Sequence, residues 1–250
     1  MKIRHLRHAT FHLQIQGWTL LVDPVLGAAE SMTPIDNSPN QRRNPLVELP
    51  IDIGDVMKAD GCLITHMHRD HFDNTASELL PKTLPMFCQS DDLDKLKQLG
   101  FSEVHAVAPA VTWQGIAITR TGGQHGTGEI GQKMAPVSGY ILKTAGEPTL
   151  YIAGDTIWCP EVAEALTVHN PEVVVLNGGA ARFNQGGPIT MGTQDIYEVC
   201  RQAPAAKVIV VHLEAINHCL LTRAELKEFL CQQGLDNRVQ VPDDGQWLDC

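Results

Sequence analysis

The chain has 250 residues, enough for one large domain or at most two. Hydrophobic residues make up 43%, which allows a substantial core, and the formal net charge of −10 argues against non-specific binding to DNA or RNA. There is no signal-peptide pattern, no apolar run long enough to cross a membrane and no paired cysteine motif, so we expect a cytoplasmic protein with free thiols that does not enter a membrane.

Short apolar runs separated by turns dominate the front half of the chain. Their β-branched content predicts strands. The runs are HATFHLQIQ (8–16), WTLLVD (18–23), GCLIT (61–65), LPMFC (84–88) and AVTWQGIAITRT (110–121). Between them, SDDLDKLKQLG (90–100) has the leucine spacing of a helix. The stretch from Ser31 to Pro50 has four prolines and little periodicity, which predicts a long surface loop.

In the back half, strands alternate with helices. Strands are predicted at VSGYILKT (137–144), TLYIAGD (149–155), EVVVLN (172–177) and KVIVVH (207–212), and helices at PEVAEALTVH (160–169), TQDIYEVCRQ (193–202) and TRAELKEFLCQQG (222–234). A short strand pair at RVQV and QWLD is expected to end the chain. The order predicts two packed sheets with helices outside, in a single domain spanning 1–250. The glycine-rich stretch 178–192 is expected to border a site.

The segment ITHMHRDHFDN, residues 64–74, concentrates ionisable side chains directly after a predicted buried strand. If the chain stays extended, His66, His68 and Asp70 project to one side, and a turn would bring His71 beside them. Neutral imidazoles and carboxylates at this spacing are good ligands for zinc and similar ions. Single histidines such as His105 and His169 are interpreted as structural.

Three further candidate ligands follow predicted strands. His125 lies in the glycine-rich TRTGGQHGTG, Asp155 directly follows LYIAG, and His212 ends KVIVVH. Strand ends converge at one edge of a sheet, so these side chains are expected to join the 66–71 segment in one metal centre.

These motifs resemble the metallo-β-lactamase superfamily, which shares the order THMHRDH, His125, AGDT and VVH. The N-terminal RHATFHLQIQGWTLLVDPVL also resembles the branch of L-ascorbate-6-phosphate lactonase-like and N-acylphosphatidylethanolamine phospholipase D-like hydrolases, with Arg7 where that branch has glycine. The resemblance implies a four-layer αββα sandwich of two mixed β-sheets. It also implies two divalent metal ions. One would be bound by His66, His68 and His125, the other by Asp70, His71 and His212, with Asp155 bridging them. Zn²⁺ is expected first, with Mn²⁺ or Fe²⁺ as alternatives.

Several residues are candidate helpers. Asp70 is expected to orient the attacking water, and His218 to contact substrate or protonate a leaving group, a helix-cap or surface role being the alternative. His8 is expected either beside the metals or in simple packing, and Asp23 in a turn. Asn177, Arg182 and Asn184 are candidate substrate contacts, and Trp158 either lines the pocket or fills core.

The leading functional hypothesis is a metal-dependent hydrolase that uses a metal-bridged hydroxide to cleave an ester, lactone or phosphodiester bond of a small-molecule substrate. No serine-nucleophile or phosphate-loop motif is present to suggest another mechanism. Three alternatives remain: a nucleic-acid phosphodiesterase, which the negative charge disfavours, a mononuclear iron thiol dioxygenase, and a non-catalytic metal-dependent binding module. The sequence does not indicate an oligomeric state.

Overall fold

Two seven-stranded mixed sheets form the framework of the computed structural model, which describes residues 1–250. The strands of the first sheet are β1 (Lys2–Arg7), β2 (Thr10–Ile15), β3 (Trp18–Val22), β4 (Gly61–Leu63), β5 (Met86–Cys88), β6 (Val104–Ala106) and β14 (Trp247–Asp249). Their order across the sheet is β14-β1-β2-β3-β4-β5-β6. Strands β3 to β6 are parallel, and the remaining neighbours are antiparallel.

The second sheet contains the other seven strands. They are β7 (Ala110–Trp113), β8 (Ile116–Thr121), β9 (Gly139–Lys143), β10 (Leu150–Ile152), β11 (Val173–Asn177), β12 (Lys207–Val211) and β13 (Val239–Gln240). They lie in the order β13-β12-β11-β10-β9-β8-β7, with β10 to β13 parallel and β7 to β10 antiparallel.

Seven α-helices accompany the sheets. They are α1 (Ile53–Val56), α2 (Asn74–Leu79), α3 (Leu93–Gln98), α4 (Gly128–Met134), α5 (Pro160–His169), α6 (Thr193–Gln202) and α7 (Arg223–Gln232). Helices α1 to α3 pack on the outer face of the first sheet, and α5 to α7 on that of the second. None of the seven combines the length and the apolar character needed to cross a bilayer.

Alternating side chains assign each strand residue to one of the layers. In β11, Val173 and Val175 face the core between the sheets, whereas Val174 and Leu176 pack under the helices of the second sheet. A strand buried on both faces reads as a continuous apolar run, as EVVVLN does. The predicted αββα sandwich of two mixed sheets is therefore confirmed.

Strands form at both expected terminal segments, but the prediction that they pair with each other is wrong. Val239–Gln240 extends the second sheet beside β12, and Trp247–Asp249 extends the first sheet beside β1. Both segments are short, so their partners are set by the sheet edges they can reach and not by their own sequence. Strands β1 and β6 and helices α1, α2 and α4 were not predicted.

The long proline-rich loop at 31–50 has no helix or strand but is firmly attached at two points. The buried Arg7 guanidinium donates to the carbonyl oxygens of Val25, Gly27 and Val47, each at 2.8 Å. At the other side of the loop, Asn217 and Asn44 exchange two hydrogen bonds of 2.8 Å. These contacts hold the loop against the same edge of the sandwich where the histidines lie.

Candidate metal centre

The 64–74 segment leaves β4 and turns at the point where the sequence suggested it would. The backbone N–H groups of His71 and Phe72 both donate to the carbonyl oxygen of His68, at 2.9 Å. This turn separates the ligands into two sets, with His66 and His68 before it and Asp70 and His71 after it. All four lie at the edge of the sandwich where β4 ends.

The three remote candidates reach the same place from the second sheet. His125 follows β8, Asp155 follows β10 and His212 follows β12, so each is carried by the carboxyl end of a strand. The approach of Asp155 needs a glycine before it. Gly154 has a φ of +67°, and a Cβ there would lie 2.4 Å from the carbonyl oxygen of Ser138.

The Asp155 carboxylate lies among three imidazoles. Its Oδ2 is 3.2 Å from His71 Nε2 and 3.4 Å from His125 Nε2, and its Oδ1 is 3.3 Å from His212 Nε2. Asn177 donates to the same Oδ1 at 2.7 Å and so fixes the carboxylate plane. Segments distant in sequence therefore converge on one carboxylate, as the strand-end argument predicted.

The atoms that could bind a metal ion form three groups that share some residues. Within each group, all of these atoms lie within 4.8 Å of one another. The groups are His66, His68 and His125; His66, His71 and Asp155; and His8, Asp70, His71 and His212. The first and third contain the two sets that the superfamily resemblance implied, and the second connects them through Asp155. His8 is an addition to the seven predicted ligands.

In most of these imidazoles the nitrogen that faces away from the centre has a partner. His71 Nδ1 donates to Asp23 Oδ2 at 2.8 Å, and His125 Nδ1 donates to the Ile189 carbonyl oxygen at 2.8 Å. His66 Nδ1 lies 3.0 Å from the hydroxyl of Thr65. Such contacts fix the tautomer and leave Nε2 free for a metal ion.

His212 and His68 have contacts of a different kind. His212 Nδ1 lies 3.4 Å from the Cys219 thiol, which leaves its Nε2 facing Asp155. His68 is reversed, because its Nδ1 is the atom that lies 2.9 Å from His66 Nε2. His68 would therefore bind an ion through Nδ1 and the others through Nε2.

His8 and His218 supply buried nitrogens that have no hydrogen-bond partner. Both ring nitrogens of His8 and Nδ1 of His218 are of this kind. Their Nε2 atoms lie 3.6 Å and 3.9 Å from Asp70 Oδ2. Buried polar atoms without partners are costly, so the centre is built to hold something that is positively charged or that hydrogen-bonds. The donor set fits divalent metal ions.

Backbone geometry also brings His8 and His212 together. Both have left-handed φ values, of 58° and 66°, and the His212 N–H donates to the His8 carbonyl oxygen at 2.9 Å. Non-glycine residues adopt this conformation at a cost of about 1 kcal/mol or more, and such residues cluster at functional sites. This bond connects the two sheets directly behind the ligand cluster.

Protonation differs between the two sides of the centre. Burial lowers the pKa of His66, His68 and His125 below the ordinary 6.5, so these imidazoles are neutral at physiological pH. Burial acts in the same direction on His71, but the carboxylates of Asp155 and Asp23 outweigh it and raise its pKa well above 6.5. Without metal, His71 holds a proton that a cation would replace.

This asymmetry predicts a pH-dependent metal occupancy. An ion at the His71 position must displace a proton, so its affinity should fall by about tenfold for each pH unit below neutrality. An ion at the His66, His68 and His125 position displaces none and should be retained to lower pH. Metal content measured after equilibration from pH 8 to pH 5 should fall in two steps. A single step, with both ions lost together, would contradict the assignment.

Other sequence candidates have different positions from those expected. Asn177 is buried and donates to Asp155 Oδ1, so the contact that the structure shows is with a candidate ligand. Trp158 packs against the core under the helices of the second sheet. Arg182 is exposed, and Asn184 donates its backbone N–H to the Asn37 carbonyl oxygen at 2.7 Å. Neither of these two lines the cleft that opens onto the ligand cluster.

A cleft of about 260 Å³ opens onto the ligand cluster and is called the metal cleft here. Its polar side is formed by His68, Asp70, His125 and His218. The rest of the lining comes from the apolar side chains of Ile35, Met134 and Phe183 and from Arg69. Arg69 already donates to Thr33 Oγ1 and the Pro34 carbonyl oxygen. A molecule in this cleft would therefore contact both candidate metal ligands and apolar side chains.

The αββα sandwich and the His/Asp cluster at its edge together define a metallo-β-lactamase fold with a candidate metal centre. Residues 19–213 match the beta-lactamase superfamily domain, and the chain belongs to this superfamily. Over 98% of both chains it is 38% identical to the UPF0173 protein YddR of Bacillus subtilis. Over 74% of its length it is 29% identical to a UPF0173 metal-dependent hydrolase of Azorhizobium caulinodans.

Two solved structures are similar to this chain over its whole length. The isothiocyanate hydrolase from Delia radicum gut bacteria is 34% identical, with a TM-score of 0.96 over 100% of this chain and 99% of that one. A possible metal-dependent hydrolase from Veillonella parvula is 33% identical, with a TM-score of 0.97 over the same shares. The chain is therefore a metal-dependent hydrolase of the metallo-β-lactamase superfamily.

Proposed function

We propose that the chain uses two divalent metal ions, Zn²⁺ in the first instance, to hydrolyse an ester, lactone or phosphodiester bond of a small molecule. The observation that carries this proposal is the Asp155 carboxylate, which lies within 3.4 Å of imidazoles from both ligand sets. A carboxylate in that position can bridge two cations. We also propose a cytoplasmic location, which the seven free cysteines support.

One ion would be held by His66, His68 and His125, the other by Asp70, His71 and His212, with Asp155 between them. When bound, divalent ions supply hydroxide near neutral pH and stabilise negative charge on the attacked group. The protein's own contribution is to fix the ligand geometry. It does so through Asp23, Thr65 and the Ile189 carbonyl oxygen, which orient three of the imidazoles.

Asp70 is proposed to orient the attacking water, and His218 is proposed to transfer the water proton to the leaving group. Burial alone would raise the pKa of Asp70, but His8, His71 and His218 hold it well below 3.8, so the carboxylate is ionised and can orient the attacking water. His218 lines the metal cleft, and burial lowers its pKa to about 4, so its imidazole is neutral at physiological pH. A neutral imidazole can accept the water proton and pass it to the leaving group.

The lining of the metal cleft favours attack at carbon over attack at phosphorus. A phosphodiester carries a negative charge, and beside the proposed metal ions the lining adds only one cation, Arg69, whose guanidinium is held by hydrogen bonds to loop 31–50. Ile35, Met134 and Phe183 offer apolar surface instead. Uncharged esters and lactones therefore fit this cleft better than phosphodiesters do.

Isothiocyanates form a second candidate substrate class. The observation in their favour is the full-length similarity to the isothiocyanate hydrolase, at 34% identity and a TM-score of 0.96. An isothiocyanate is an uncharged molecule with an electrophilic carbon, as an ester or a lactone is. The same water attack and the same apolar wall would serve it.

The direct test is a substrate panel assayed with metal-loaded protein. The panel contains a p-nitrophenyl ester, a γ-lactone, an aryl isothiocyanate and bis(p-nitrophenyl) phosphate. We expect turnover of at least one carbon-centred substrate, faster than that of the phosphodiester, and loss of all activity after chelation. Hydrolysis of the phosphodiester alone would overturn the preference for carbon, and no turnover of any substrate would favour a binding module.

The role of His218 is tested by His218→Gln. We expect kcat to fall by about a hundredfold, as is typical when a proton-transfer group is removed, with metal content unchanged. His105→Gln is the matched control, because His105 is 45% exposed and remote from the cluster. Measurement of kcat and bound metal in both variants tests whether His218 transfers a proton. Loss of metal from His218→Gln would instead make His218 a ligand.

A further inference from the structure

A second cleft adjoins the metal cleft and is not used by the chemistry described so far. Its volume is about 540 Å³, twice that of the metal cleft. The two share Met134 and Phe183 as a common wall. The remaining lining comes from α4, through Ile130 and Lys133, and from the loops at 31–50 and 178–192.

The walls of the second cleft are fixed to the body of the protein. Ile130, Met134 and Phe183 are half-buried and pack on a small apolar cluster that includes Ile189 and Ile216. Gly186 has a φ of +92°, which favours glycine, and its Cα lies against the Ile130 side chain. The two loops are connected by the 2.7 Å backbone hydrogen bond between Asn184 and Asn37. The second cleft is therefore a built cavity and not a gap between unconnected loops.

Size and charge indicate what the second cleft would hold. Small-molecule sites usually have about 300–1,000 Å³, so the metal cleft alone is small for a complete substrate. The second cleft supplies the missing space. Its two charged residues, Glu129 and Lys133, have opposite signs and are exposed, so they provide no net charge to attract an ion. Three apolar side chains remain as its main interior surface.

We propose that the second cleft binds an apolar aryl or alkyl substituent of the substrate while the electrophilic group lies in the metal cleft. Phe183 would separate the two, since its ring lies 6.4 Å from that of His218. This inference rests on the proposed hydrolase function. It names the substrate class as an uncharged electrophile with a bulky apolar group on one side.

The test fills the second cleft by Ile130→Trp. Activity is compared on matched methyl and 2-phenylethyl substrates of whichever carbon-centred class is turned over. We expect the variant to lower the kcat/KM ratio of 2-phenylethyl to methyl substrate by about tenfold or more, mainly through KM. Leu79→Trp is the control, because Leu79 is 44% exposed on α2, and it should leave the ratio unchanged. An unchanged ratio in Ile130→Trp would overturn the proposal.

A binding measurement separates this proposal from the hydrolase proposal. Saturation-transfer NMR with 2-phenylethanol, which has no hydrolysable bond, should detect binding to the wild-type chain and weaker binding to Ile130→Trp. If Ile130→Trp does not fold, Phe183→Ala replaces it, with the same expected loss. Binding that both variants retain would overturn the subsite even in an active hydrolase. Binding that is lost in the variant of an inactive protein would support the subsite and count against the hydrolase.

Discussion

Asp155→Ala is expected to abolish hydrolysis and to reduce bound metal below two ions per chain. The carboxylate lies within 3.4 Å of His71, His125 and His212, which belong to both predicted ligand sets. Its removal would leave two sets of imidazoles with no bridge. We expect kcat/KM to fall by at least about a thousandfold, equivalent to about 4 kcal/mol of transition-state stabilisation. Metal analysis and steady-state kinetics on the same preparations measure both effects.

The control for Asp155→Ala is a buried aspartate outside the centre. Asp92 is 2% exposed and bonds to Gln89 and Lys95, so Asp92→Ala removes a buried carboxylate without touching a ligand. We expect this control to lose stability but to keep its metal and its kcat. If Asp155→Ala keeps two ions and normal turnover, the bridging role is wrong and the two ligand sets act independently.

The fold was largely predictable because most of its strands are buried. The apolar runs of β10, β11 and β12 are continuous, as expected for strands covered on both faces. The short strands were not predictable in the same way. Strand β6 has three residues, none of them buried, so its sequence contains too little pattern to distinguish it from a loop. Strand β13 was predicted at RVQV, but its two residues contain too little pattern to identify the strand it pairs with.

The candidate ligands were predictable because they follow strands. All seven predicted metal ligands lie in one cluster in the structure. Their outer partners were not predicted, since each of these comes from a distant part of the fold. The Ile189 carbonyl oxygen that orients His125 lies 64 residues away, and a backbone oxygen has no sequence signal at all. Asp23 was interpreted only as a turn residue, although its carboxylate contacts His71 from 48 residues away.

Asp23→Asn is expected to weaken metal binding at the His71 position by about tenfold to a hundredfold. The Asp23 carboxylate accepts hydrogen bonds from His71 Nδ1 at 2.8 Å, from the Thr65 backbone N–H at 2.8 Å and from the Thr65 hydroxyl at 2.7 Å. Asparagine keeps the size and one oxygen, but its amide group would oppose the His71 N–H with another donor. The histidine would then lose the contact that fixes its tautomer. Titration against a chromophoric chelator measures the change in affinity.

Loss of stability has to be separated from loss of ligand orientation in this variant. A buried hydrogen bond left unmade costs about 1–3 kcal/mol, so Asp23→Asn should also unfold at a lower temperature in the presence of chelator. Asp73→Asn is the matched control, because Asp73 is buried and accepts from the backbone N–H groups of Gly27 and Ala76 without touching a histidine. It should lose comparable stability and keep its metal affinity. If Asp23→Asn and Asp73→Asn lose metal affinity equally, Asp23 supports only the fold. If Asp23→Asn alone loses metal affinity, and excess metal restores its turnover, Asp23 positions a metal ligand.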